Sequence, residues 1–164
     1  MLAEKKRLSE SEAKFYAVCI IIGLEYMHTN GVLHRDIKPE NLLIEESNGY
    51  MRITDMGISR MWTPDNAQDT SGTPGYMAPE VMCKQNHGYA VDYFALGVIL
   101  YEMMLGRRPY TGKNRKEIRD RIFDKQVCII KAEIPEGWSI EAADFINKLI
   151  QRKPALRLGL QGPS

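Results

Sequence analysis

The chain has 164 residues, is 44% hydrophobic and 26% charged, and carries 22 basic against 21 acidic residues for a net charge of +1. That composition fits one globular domain, or part of one, and the balanced charge without long runs of either sign gives no argument for nucleic acid or an anionic membrane as partner. Cys19, Cys83 and Cys128 are odd in number and widely spaced, which argues against a disulfide framework or a zinc site and for a reducing, cytoplasmic setting.

The start, Met1 to Arg7, lacks the apolar segment of a signal peptide. Residues 9–30 then read as a helix, opened by a Ser9/Glu12 capping box and stopped at Asn30-Gly31. Phe15, Cys19, Ile22 and Tyr26 recur at helical spacing, with Tyr16, Ile20, Gly23 and Met27 as a second set, so the expectation is a helix covered on two sides. Leu42–Ile44 and Tyr50–Ile53 read as two short strands around Ser47-Asn48-Gly49. Residues 57–75 carry turn formers and no period, which predicts a long loop. A short helix is expected at 79–83, and a strong one at 89–105 that is apolar all round and forms the central rod. Asp92 and Glu102 interrupt that stretch too often for a membrane span. Two more helices are expected at 115–124 and 139–151.

The chemistry concentrates in His34-Arg-Asp-Ile-Lys-Pro-Glu-Asn41, which the polar cluster and Pro39 make a loop. Within six residues it offers a carboxylate at Asp36, an ammonium at Lys38 and a carboxamide at Asn41. These are a base, an anion clamp and an oxygen ligand for a hard cation. The predicted hairpin brings Asp55 to the same end as Asn41, so the two could share a magnesium ion.

Three stretches together resemble the C-terminal lobe of a eukaryotic protein kinase of serine/threonine type. His34–Asn41 resembles the catalytic loop and Asp55-Met56-Gly57 the metal-binding Asp-Phe-Gly element. Gly72-Thr-Pro-Gly-Tyr-Met-Ala-Pro-Glu80 resembles the end of the activation segment. The order and separations also match. The ending Arg157-Leu158-Gly159 and the run Tyr101-Glu102-Met103 lean toward the AGC and calcium/calmodulin-dependent groups.

The resemblance implies an α+β, predominantly α-helical fold with short β-hairpins beside catalytic loop 34–41 and an activation segment at 55–80. It implies that Asp36 accepts the proton of a protein Ser/Thr hydroxyl, that Lys38 neutralises the transferring phosphoryl group, and that Thr73 shapes the hydroxyl site. Asn41 and Asp55 would hold the Mg2+ of ATP, and Leu43 with Leu42 would floor the adenine pocket. Asp92 would anchor the catalytic loop, Glu80 and Arg157 would form a buried ion pair, and His34 would pack and hydrogen-bond. Glu40 and Glu102 would receive a substrate arginine. Met56 stands where the family has Phe and is expected to fill the same apolar slot. Asp69 stands near where many kinases carry a phosphothreonine paired with the arginine at position 35, so Arg35–Asp69 is expected to replace that pair in part, with Thr70 and Ser71 as candidate phosphosites.

No Gly-rich phosphate loop and no Val-Ala-Ile-Lys strand precede His34. The expectation is therefore a partial kinase domain over 1–164, the N-terminal lobe absent, its inter-lobe face apolar and exposed, and the isolated chain slow at phosphate transfer. The alternative from another class is a non-catalytic, kinase-like binding module, which predicts erosion of a catalytic set that here is intact.

Overall fold

Ser9 opens the first helix as a reciprocal cap: the Glu12 amide donates to its hydroxyl, and its own amide donates to Glu12 at 2.9 Å. This helix, α1, spans Glu10–Thr29 in a computed structural model that describes residues 7–159. The first six residues, and with them most of the stretch read for a signal segment, lie outside the described residues. Two short antiparallel ladders follow. Strand β1 (Val32–Leu33) pairs with β4 (Arg60–Met61), and β2 (Leu42–Ile44) pairs with β3 (Met51–Ile53), Leu42 opposite Ile53. The β2–β3 turn closes as predicted, the Gly49 amide donating to the Glu45 carbonyl at 2.8 Å.

Helices α2 (Pro79–Met82), α3 (Ala90–Leu105), α4 (Arg115–Asp124) and α5 (Ile140–Leu149) complete the fold, with single 3-10 turns at Pro39–Asn41, Lys131–Glu133 and Pro154–Leu156. Helix α3 is the central rod: every residue but Tyr93 and Glu102 is buried, and it packs against α1 and α5. No helix among the described residues is long and apolar enough to cross a membrane.

Two expectations change. The stripe of α1 that meets the core is Ala13, Ala17, Ile20, Leu24, Met27 and His28. Phe15, Ile22 and Tyr26 are 43%, 61% and 74% exposed. The small alanines let α1 approach the rod, and the bulkier face turns outward beside the β2–β3 hairpin, where Phe15 stacks on Tyr50. Met56 fills no core slot and is half exposed on the same side. The second change lies in residues 57–75, which are not all loop: β4 forms there because β1 supplies a partner some thirty residues earlier in the chain.

Candidate active site

The rod positions the site. Asp92, on its first turn and buried, accepts the His34 amide at 2.9 Å and the Arg35 amide at 2.7 Å, while His28 of α1 lies against the same carboxylate at 2.8 Å. A carboxylate out of water needs such donors, and here two of them are the backbone of the catalytic-loop stretch. His34 is fully buried beneath that stretch. Its Nε2 meets the Thr54 carbonyl at 3.0 Å and its Nδ1 accepts the Asp36 amide, so the ring links the loop to the end of β3.

Above this base the Asp36 carboxylate is held on both oxygens. Thr73 donates to Oδ1 from its hydroxyl at 2.6 Å and its amide at 3.0 Å. Lys38 Nζ donates to Oδ2 at 2.6 Å and to the Thr73 hydroxyl at 3.0 Å, and Asn41 Nδ2 donates to the Asp36 carbonyl at 2.9 Å and to Oδ2 at 3.2 Å. Burial pushes the Asp36 carboxyl up, but the hydrogen bonds from Lys38 and Thr73 and the Lys38 charge outweigh it and hold the group below its ordinary value. The carboxylate stays ionised at neutral pH, able to accept a hydrogen bond from a hydroxyl.

The β2–β3 ladder carries Asn41 and Asp55 to one end. Thr54 donates its amide to the Asn41 carbonyl at 2.9 Å, and Asp55 follows directly, exposed, in a left-handed conformation with φ 62°. One Asp55 oxygen accepts the Gly57 amide at 3.1 Å. With the Asn41 amide nitrogen committed to Asp36, its oxygen remains for a ligand, as does the second Asp55 oxygen. Two such oxygens suit Mg2+, which binds through one or two protein groups, waters and substrate phosphates. Leu43 is 57% exposed on the same hairpin.

The remaining residues fall into three places. Arg35, at φ 70°, donates to the Ile58 carbonyl through Nε at 2.7 Å and pairs with Asp69, which also meets Arg60 at 3.3 Å and accepts the Ser71 hydroxyl at 3.1 Å. Burial raises the Asp69 carboxyl, and the Arg35 hydrogen bond and charge, with help from Ser71 and Arg60, bring it below its ordinary value. Thr70 stands apart, its carbonyl accepting from Arg115 at 3.2 Å. Glu102 accepts the Tyr76 hydroxyl at 2.9 Å, and both Glu102 and exposed Glu40 act electrostatically on that phenol. Arg157 and Glu80, each 3% exposed, form a two-pronged pair at 2.6 and 2.9 Å. Arg157 also reaches the Ala90 and Gln151 carbonyls and lies over Phe94.

Sequence reasoning missed His28, a histidine in register with the buried stripe of α1. It also missed Tyr76 as the partner of Glu102. The first had a signal, a polar residue one turn after Leu24 on an apolar face; the second had none, because 26 residues separate the pair.

Comparison with known proteins agrees with this geometry. The protein kinase domain family matches residues 1–162, so the chain belongs to that family. Within it the chain is of serine/threonine, AGC type. It is 36% identical over 158 residues to a cAMP-dependent protein kinase catalytic subunit-like protein of Caenorhabditis elegans, covering 96% of this chain and 38% of that protein. It is 37% identical over 166 residues to ribosomal protein S6 kinase alpha-1 of Homo sapiens, covering 99% of this chain and 21% of that protein. The chain thus spans well under half the length of these relatives.

Proposed function

We propose that this chain carries the phosphoryl-transfer lobe of a protein serine/threonine kinase, acting with ATP and Mg2+ on the hydroxyl of a protein substrate. The observation that supports it best is the Asp36 carboxylate held between Lys38, Asn41 and Thr73. Asp36 orients the hydroxyl and accepts its proton, and Lys38 places positive charge where the transferring group passes. Thr73 borders the acceptor position. Asn41 and Asp55 would hold Mg2+, which supplies charge neutralisation across the nucleotide phosphates. Leu43 offers an apolar floor for the base.

The finer reading is that the nucleotide is covered by a further lobe outside this chain. The exposed apolar residues Phe15, Ile22, Tyr26, Tyr50 and Met56, which line one open groove, support this. Arg35 and Asp69 hold the activation segment in place of a phosphorylated residue, Thr70 remains a modification site, and Glu40 with Glu102 face a substrate arginine. Free cysteines at 19, 83 and 128 support an intracellular, cytoplasmic setting.

The test is phosphate incorporation into a Ser/Thr peptide mixture by the full-length kinase, parent against Asp36→Asn. A loss of at least about 100-fold with unchanged thermal unfolding is expected. Equal turnover would sink the catalytic reading and favour a binding module. In the same assay Asp69→Ala lowers the rate; an unchanged rate overturns the activation-segment role.

A further inference from the structure

Gly75 is buried, and a Cβ built there would stand 2.1 Å from Nη1 of Arg108. The guanidinium therefore lies in the space that a side chain at position 75 would take, and only glycine leaves room for it. From there its Cζ lies 5.5 Å from the centroid of the Tyr76 ring, within cation–π range. The hydroxyl of the same ring donates to Glu102 at 2.9 Å. Glu40 adds a second carboxylate: burial, then Glu102, push the Tyr76 hydroxyl strongly up, Glu40 adds to this, and Arg108 opposes it. Two carboxylates and one cation thus share a single phenol.

Tyr76 lines the same small pocket as Asp36 and Thr73. Gly75 and Tyr76 follow closely on Thr73, whose hydroxyl touches Asp36. The neighbouring arginine shows what is unusual about Arg108. Arg107 lies over Tyr101 and reaches Glu133 at 3.5 Å, a neutralised arrangement. Among the described residues no carboxylate comes within ion-pair distance of Arg108, so its charge remains unpaired beside the acidic groups.

We propose that Arg108 is a specificity-determining residue: a resident guanidinium that screens Glu40 and Glu102, so that a substrate arginine gains less here than the two carboxylates alone would offer. The inference rests on the protein-substrate reading above. Charge screening between groups separated by one ring acts on discrimination between substrates more than on fold. The Gly75–Arg108 pair is then one unit, since any side chain at 75 displaces the guanidinium.

The test is fluorescence anisotropy of labelled serine peptides against the full-length kinase at low salt, with Arg, Ala or Glu placed at successive positions before the serine. Arg108→Gln keeps the planar group over the ring and removes the charge. It is expected to raise the Arg-to-Ala affinity ratio about 3- to 10-fold at one or two positions. Adding Glu102→Gln and Glu40→Gln should abolish the gain, and high salt should erase it. An unchanged ratio at every position overturns the proposal, as does a gain that survives both glutamine replacements. Preference of the parent, but not of Arg108→Gln, for the Glu peptide also overturns it and makes Arg108 a direct reader of substrate anions. If no peptide binds either protein, the substrate reading falls and takes this proposal with it.

Discussion

Two arginine–carboxylate pairs hold distant segments of this molecule together, and they are built for opposite purposes. Arg157 and Glu80 meet bidentately with almost no solvent contact, and the remaining guanidinium hydrogens are spent on carbonyls. Arg35 and Asp69 meet at the edge of the activation segment. There Asp69 is shared with the largely exposed Arg60, and the carboxylate side chain keeps 13% of its surface in solvent. A pair closed off from water is costly to break from one side because the survivor is stranded; the Arg35 side chain is itself only 5% exposed, so what separates the second pair is the solvent contact of its carboxylate and the exposed Arg60 that shares it. The first fastens the stretch around Arg157 to the helical core; the second fastens the stretch around Asp69 to the loop that carries Asp36.

The contrast is most sharply broken from the buried side. Glu80→Ala should destabilise the fold by about 3–5 kcal/mol in urea unfolding, since it leaves Arg157 charged and unpaired. Replacing both residues with apolar ones of similar volume should restore most of that loss; a double variant as unstable as the single one would show that the pair itself carries the stability. Asp69→Ala should cost no more than about 1–2 kcal/mol globally, yet it should raise amide exchange across residues 57–75 while leaving α3 protected. Uniform exchange would show that the two pairs do not differ.

Acid separates the pairs from their surroundings in a defined direction. Asp69 and Asp36 both titrate below their ordinary value in the folded protein, so the stability they contribute is complete above the unfolded carboxylate range, near pH 4. It is lost as the pH falls through their lower folded values. Exchange in residues 57–75, taken relative to the intrinsic amide rate at each pH, should therefore be flat from neutral pH down to about pH 4 and rise below it. A rise near pH 6 would point to a histidine instead. The smallest effect belongs to a purely local contact: Ser9→Ala should cost about 1 kcal/mol through loss of the α1 cap, with no change at the activation segment.

What could be read from sequence follows the range of the interaction that determines it. The α1 cap and the β2–β3 turn depend on residues within a few positions of each other. Asn41 and Asp55 were placed together because a tight hairpin fixes where its ends go. The expectation of an α1 covered on two sides fails on one of them, because Phe15, Ile22 and Tyr26 satisfy helical periodicity as well as the buried stripe, which takes only Ile20 and Met27 from the second apolar set. Hydrophobicity alone cannot tell which face a partner covers, and the alanines that allow close packing look weak on any apolar scale. Strand β4 and the Asp92–His28 contact were illegible for a related reason, each existing only through residues far away in the chain.

Gly72 narrows what protein engineers can do here. At φ 128°, with the Arg35 carbonyl 2.8 Å from where its Cβ would be, it lets the activation segment lie directly against the catalytic loop and bring Thr73 to Asp36. A library aimed at new peptide preferences can explore the surroundings of Tyr76 and Arg108, but position 72 has one usable letter. Any other choice would wedge the two loops apart and be scored as a dead enzyme whatever the pocket had gained.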